Sequence, residues 1–219
     1  MLRSLQFQDL ADWEAIVVDD GEGEAIARVE RVGDPRITAR RNDGDGQADA
    51  RLTAIAAATG ELVAWLDDDD WWDDPGHLTL LRDAAAAHTR SFFFRGGWIV
   101  ADDGSREPYD LDATAESLLR NNTVLTSSIA YPRRFHDELG PLDSALGGYC
   151  DWDFMLRMCE AGIEPQRLPG RGIAYAVHDR NASTAYDAPA RRADFERFRD
   201  KHGLDVEIAN HVLVHRMLS

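Results

Sequence analysis

Short apolar runs alternate with longer stretches of helical periodicity over the first two-thirds of the chain. That alternation predicts strands and helices in turn, and so a mainly parallel sheet with helices on its faces. Met1 to Gln8 reads as the tail of a helix. Glu14 to Val18 reads as a strand ending at Asp19-Asp20-Gly21, Glu24 to Val32 as a short helix, and Arg36 to Ala39 as a second brief strand. A Gly-rich loop from Asn42 to Gly46 then opens an Ala-rich helix from Gln47 to Thr59, with Gly60 expected as its C-cap. Leu62 to Leu66 is too short for a helix and reads as a buried strand. Pro75 is expected to start a helix running to about His88. Phe92 to Phe94 and Trp98 to Val100 look like strands around a bend at Gly96-Gly97.

Further on, a helix is expected over Ala113 to Asn121, followed by the β-branched stretch Thr123 to Tyr131. Trp152, Met155, Leu156 and Cys159 recur at helical spacing and predict a helix from Asp151 to Ala161 with that stripe buried. Residues 189–219 read as an outer helical segment anchored by Phe195 and Phe198. There is no internal repeat or low-complexity linker. The expected organisation is one domain over residues 1–188 with a helical extension, 189–219, packed on it.

Composition narrows the function. At 219 residues and 44% hydrophobic, the chain can bury one good core. A net charge of -16 argues against a nucleic-acid partner and against attraction to anionic lipid, both of which call for clustered Lys and Arg. Cys150 and Cys159 are too few for a disulfide framework, and on one helix they would stand ~13.5 Å apart along its axis. They read as reduced thiols, which suits a cytoplasmic protein. No apolar run reaches the roughly 18 residues of a membrane span, and the N-terminus lacks a signal-peptide core.

Candidate chemistry centres on Asp67-Asp68-Asp69-Asp70, which follows the Leu62–Leu66 strand without a spacer. Like charges at contact distance disfavour joint ionisation, and a divalent cation with oxygen ligands offsets that cost. Ligands of open α/β sheets sit just beyond the carboxyl ends of strands, where this cluster falls. An acidic run with no such placement would read as a solvated loop.

The pieces together resemble an inverting family 2 glycosyltransferase of the GT-A fold, from the first residues to about Ser183. Glu14 to Gly21 is similar to the family's second strand and acidic turn. Asn42-x-Gly44 with Ala50-Arg51-Leu52 resembles its Asn-x-Gly…Ala-Arg-Asn stretch, with Leu52 in place of Asn. Gly60 to Trp71 fits its Asp-x-Asp region. Leu139-Gly140-x-Leu142-Asp143 and Asp151-Trp152-Asp153-x-x-x-Arg157 match the segment carrying the base, with Cys150 where Glu is frequent. His178-x-x-Asn181-x-Ser183 resembles a turn at the edge of the family's active site.

The resemblance implies a Rossmann-like, mixed, mainly parallel sheet flanked by helices. It also implies transfer of a sugar from a nucleotide-sugar donor to a hydroxyl acceptor: a glycan, a lipid-linked glycan or a small molecule. Asp151 is then the general base, with a plain helix N-cap as the alternative. Asp20 is expected at the nucleotide, although Asp19 is easily confused with it and either could simply form the turn. Arg51 is expected to meet phosphate or uracil, or else to be an exposed helical Arg. Asp67 and Asp69 are expected to bind the nucleotide-sugar, Asp69 at the ribose. Mg²⁺ or Mn²⁺ is expected on Asp70, with Asp69 and His178 as further ligands, while Asp68 occupies the variable position. Asp153 and Arg157 read as an intrahelical ion pair. Trp71, Trp72 and Trp98 are either a floor for a sugar or core and rim.

The family's usual first strand, central to nucleotide binding, has no counterpart here. Its absence predicts a missing ladder in mid-sheet, and the expectation is a natural protein that extends upstream. Two rival functions stand beside sugar transfer. One is a degenerate, non-catalytic binding protein of the same fold. The other is Asp/Mg²⁺-dependent phosphoryl transfer, which often adds a Lys; the sole candidate is Lys201.

Overall fold

The computed structural model describes residues 1–178, 181 and 188–218. In chain order the elements are α1 (Leu2–Gln6), β1 (Ala15–Asp19), α2 (Glu24–Val32), β2 (Ile37–Arg41), α3 (Gly46–Ala57), β3 (Leu62–Ala64), β4 (Trp71–Trp72) and α4 (His77–Ala87). Then come β5 (Ser91–Ala101), β6 (Arg106–Tyr109), α5 (Ala115–Leu118), a 3₁₀ turn (Thr126–Ser128), β7 (Ala130–Pro132) and α6 (Phe135–Leu139). A second 3₁₀ segment (Ser144–Tyr149), α7 (Cys150–Glu160), β8 (Glu164–Val177), α8 (Pro189–His202) and α9 (His211–Leu218) complete the chain. Strand order in the six-stranded sheet is β3-β7-β5-β8-β4, with β6 on the far part of β5. The two longest ladders, β5–β8 and β1–β2, are parallel, and the short ones are antiparallel. β1 and β2 form their own two-stranded sheet, and among the described residues no ladder joins it to the larger one. That is the break expected in mid-sheet.

β5 shows why the sheet sits at the centre. Phe92 and Phe94 point into one cluster with Trp65, Tyr131 and the apolar face of α7, while Phe93 points into another with Leu81 and Leu168. Alternate side chains of a strand covered on both faces must all be apolar, which accounts for the Phe-Phe-Phe run. The stripe on α7 is buried as expected at Trp152, Met155 and Leu156, with Cys159 only partly covered. Phe195 and Phe198 carry α8 into the same core.

Several local expectations change. Gly96-Gly97 does not end a strand: β5 runs on to Ala101, with its register against β8 shifting at these glycines. A Cβ on Gly97 would stand 2.7 Å from the Ile173 carbonyl oxygen, so the pair permits a close backbone approach at an irregular pairing. Gly60 is not a C-cap either. α3 stops at Ala57, Ala58 turns extended, and the Gly60 and Thr59 N–H groups donate to Glu14 Oε1 at 2.9 and 2.6 Å. The Ala113–Asn121 helix shrinks to one turn, and Thr123–Tyr131 is mostly turn. β8 has no sequence signal of its own, since Pro165, Pro169, Gly170 and Gly172 interrupt it.

Candidate active site

The acidic segment leaves the end of β3 and splits in two directions. Asp70 turns inward and is 1% exposed, its Oδ2 accepting from the Ser127 hydroxyl at 2.5 Å and its Oδ1 from the Ala176 N–H at 2.9 Å. Burial first, then the charges of Asp67 and Asp69, push its carboxyl up to about 8, against the opposing pull of those two donors. Asp69 is half-buried, its side chain 30% exposed. Its Oδ2 accepts from Asn181 Nδ2 at 2.9 Å and lies 3.3 Å from His178 Nε2. Burial and its neighbours Asp67 and Asp68 raise Asp69 above the usual carboxylate range. Asp68 is exposed. Asp70, expected to hold the metal directly, thus has both oxygens engaged inside the fold, whereas Asp69 and His178 stand together half-buried.

Arg51 is not an exposed helical Arg: its side chain is 12% exposed. From α3 it reaches under the acidic segment to Asp67 Oδ1 at 3.0 Å, lies over the Trp65 ring at 4.6 Å and touches Cys150 Sγ at 3.6 Å. Burial works against its charge, but Asp67, Cys150 and Asp151 raise its pKa above the ordinary value. Burial pushes the Cys150 thiol up to about 11, so it is a neutral group where the family often has a carboxylate.

Asp151 does not cap α7, since Tyr149 holds the N-cap position. It lies in the first helical turn, 6% exposed, its Oδ2 accepting from the Thr126 hydroxyl at 2.7 Å and its Oδ1 from the Trp152 N–H at 2.7 Å. Thr126 and Ser127 are neighbours, so the turn they form brings Asp151 and Asp70 to one place. His211, at the start of α9, also faces this region. Its ring meets Tyr109 and Tyr175, its Nε2 lies 2.9 Å from the Val124 carbonyl oxygen, and burial lowers its pKa. Asp153, four residues before Arg157, pairs with it at 2.8 Å as expected. It also binds Lys201 at 2.7 Å and His202 at 2.9 Å. Lys201, the sole Lys, pairs with Asp153 and Asp143, away from the acidic segment where phosphoryl transfer would need it.

The nucleotide end separates Asp19 from Asp20. Asp19 is buried; its burial would raise its pKa, yet the N–H groups of Gly21, Ile26, Gly23 and Ala25 hold the carboxyl below its usual range. It is the anchor of the turn and of the start of α2. Asp20 is exposed and accepts from Asn42 Nδ2 at 2.6 Å and from the Gly46 N–H, at the start of α3, at 3.2 Å. Trp72 is core, with its Nε1 donating to the Ser127 carbonyl at 2.9 Å. Trp71 and Trp98 are half-buried beneath Arg106 and Arg171. Ser183 lies outside the described residues.

Thr126, Ser127, Ala176 and His211 were not found by sequence reasoning. The one available signal was the hydroxyl run Thr126-Ser127-Ser128, whose side chains favour turns over strands.

Comparisons with known proteins bear on the fold and the kind of protein. Residues 1–96 match the glycosyl transferase family 2 model. An uncharacterized glycosyltransferase of Bacillus subtilis, YwdF, is 29% identical over 215 residues, which is 93% of this chain and 78% of that protein. The Escherichia coli enzyme WfgD, named as a UDP-Glc:alpha-D-GlcNAc-diphosphoundecaprenol beta-1,3-glucosyltransferase, is 37% identical over 73 residues, 32% of this chain and 29% of that one. Among solved structures, the mannosyltransferase PcManGT from Pyrobaculum calidifontis, in complex with GDP-Man and Mn2+, superposes with a TM-score of 0.68 at 19% identity. S. aureus TarS in complex with UDP superposes with a TM-score of 0.62 at 18% identity. The matches cover 94% of this chain but only 60% and 62% of those two. The fold is GT-A, mixed α/β with helices flanking the sheet. The first 96 residues are thus similar to glycosyl transferase family 2, and the chain along most of its length is similar to proteins named as glycosyltransferases. Among the described residues, no helix is long and apolar enough to cross a membrane.

Proposed function

We propose that the protein transfers a sugar from a nucleoside-diphosphate donor to a hydroxyl acceptor with inversion, using a divalent cation. The observation that carries this reading is the meeting of Asp151 with the 67–70 segment on one turn, through hydrogen bonds from Thr126 and Ser127. Asp151 takes the proton from the acceptor hydroxyl as that oxygen attacks the anomeric carbon. The new C–O bond forms as the bond from that carbon to the phosphate oxygen breaks, and the nucleoside diphosphate departs. Asp20 at the loop before α3 faces the nucleoside, and Arg51 holds Asp67 for the donor rather than touching it first.

The donor set fits Mg²⁺ or Mn²⁺. Asp69 and His178 offer oxygen and imidazole side by side, and a cation there offsets the charge that raises Asp69. Among the described residues no three His, Cys, Asp or Glu side chains converge on one point, so phosphate oxygens would complete the ligands. When bound, the ion supplies Lewis-acid stabilisation of the leaving diphosphate. Asp70 supports the segment from below. The acceptor is proposed to be a glycan, lipid-linked glycan or small molecule.

The test is release of UDP or GDP from a panel of UDP- and GDP-sugars, with and without Mn²⁺, alongside calorimetry with UDP or GDP plus MnCl₂. Cation-dependent release that Asp69→Ala abolishes supports the reading. A folded protein that neither binds nor turns over any donor would return it to the non-catalytic alternative.

A further inference from the structure

We propose that the 3₁₀ turn Thr126–Ser128 is the positioning element of the reaction, with divided roles: Thr126 aims the base and Ser127 shapes the donor side. This deepens the function proposed above and rests on it. Ser127 closes the acidic segment at both ends. Its hydroxyl oxygen accepts from the Asp67 N–H at 3.0 Å while its proton goes to Asp70 at 2.5 Å. Thr126 donates to Asp151 Oδ2 at 2.7 Å. The carboxylate of a helical Asp has several staggered orientations, and a hydroxyl on one oxygen selects among them. The turn itself is braced: Ser128 Oγ donates to the Leu125 carbonyl at 2.7 Å, and Trp72 Nε1 donates to the Ser127 carbonyl at 2.9 Å. Ser127 and Ser128 are each 1% exposed, so the turn moves as part of the core. Because the two hydroxyls sit on adjacent residues, the spacing between base and donor carboxylates is set by one peptide unit. Misplacement of a reacting group by about an ångström costs on the order of a hundredfold in rate.

The experiment compares Thr126→Val, Thr126→Ser, Ser127→Ala and Asp151→Asn on the full chain, reading kcat and KM for the donor turned over best in the panel, and Kd for UDP or GDP with MnCl₂. Thr126→Val keeps the shape and removes the hydroxyl. It should lower kcat by about tenfold to a hundredfold, the range for a hydrogen bond to a charged group, with KM and Kd within about twofold. Thr126→Ser should restore kcat to within about threefold, since the hydroxyl remains. Ser127→Ala should instead raise Kd by about tenfold or more. Thr126→Val added to Asp151→Asn should cost nothing further, because its effect runs through that carboxylate. Equal losses in Thr126→Val and Thr126→Ser, or wild-type kcat in Thr126→Val, overturn the positioning role while an inactive Asp151→Asn leaves the transfer reading standing. Full transfer by Asp151→Asn, or no turnover by the wild type, brings down the transfer reading and this proposal with it.

Discussion

Two buried aspartates, Asp153 and Asp70, are held in opposite ways. Asp153 has a fully buried side chain and meets three basic partners, Arg157, Lys201 and His202. Burial alone would raise its pKa, yet His202, Lys201 and Arg157 bring it down to about 2. Asp70 is equally hidden but accepts from a hydroxyl and a backbone N–H, beside further carboxylates, and is pushed up to about 8. The first arrangement ties α8 to α7 and is structural. The second stores electrostatic cost in the middle of the candidate site, where perturbed groups tend to gather. A buried carboxyl whose compensation is incomplete, as at Asp70, is thus the stronger candidate for function.

The contrast can be broken experimentally, starting from the largest effect. Asp151→Asn should lower transfer by about a thousandfold, roughly 4 kcal/mol, as expected for loss of a general base, with little change in thermal unfolding. A comparable fall in melting temperature would make Asp151 structural. Asp153→Asn should cost about 3 kcal/mol by stranding its basic partners, lowering Tm by about 6–12 °C in calorimetry.

The same residue sets an acid limit. Its folded pKa is depressed, so its contribution is whole above the unfolded value near 4 and is lost as pH falls through about 2. Urea titrations from pH 5 to pH 2 should show that loss in the wild type and not in Asp153→Asn. Next, UDP or GDP with MnCl₂ at about a hundred times Kd should stabilise the protein by about 2.7 kcal/mol, seen as a rise in Tm. Asp69→Ala should cancel that rise. The smallest effect belongs to Asp70→Asn. The amide oxygen still accepts from the Ala176 N–H, and its NH2 donates to the Ser127 hydroxyl oxygen in a reversed contact, all without charge, so the stability should change by less than about 1 kcal/mol or rise. A loss as large as that of Asp153→Asn would erase the distinction between the two sites.

Much of this was legible before the fold was known. The strand ending at Asp19, the helix from Glu24 to Val32 and the buried stripe of α7 follow from period and breakers. β8 was not legible, because its prolines and glycines deny it a local pattern. It exists through an eleven-residue pairing with β5. The turn at Thr126 was misread for a related reason: β-branched residues suit strands, but here hydroxyls bonding side chains and backbone won.

The amino-acid sequence by itself determined the class of chemistry. It placed carboxylates just beyond a short apolar strand, which the structure ends at Ala64 and leaves half-buried at the sheet edge, and put an aspartate in the opening turn of an apolar helix; both follow from local order along the chain. Only the tertiary structure decided which of two adjacent aspartates stays partly exposed. Asp69 and Asp70 differ by one position, and nothing local separates them. Their partners, Asn181 for one, Ser127 and Ala176 for the other, arrive from 112, 57 and 106 residues away. Orientation is chosen by whichever donors the packing delivers, and that delivery is a property of the whole fold.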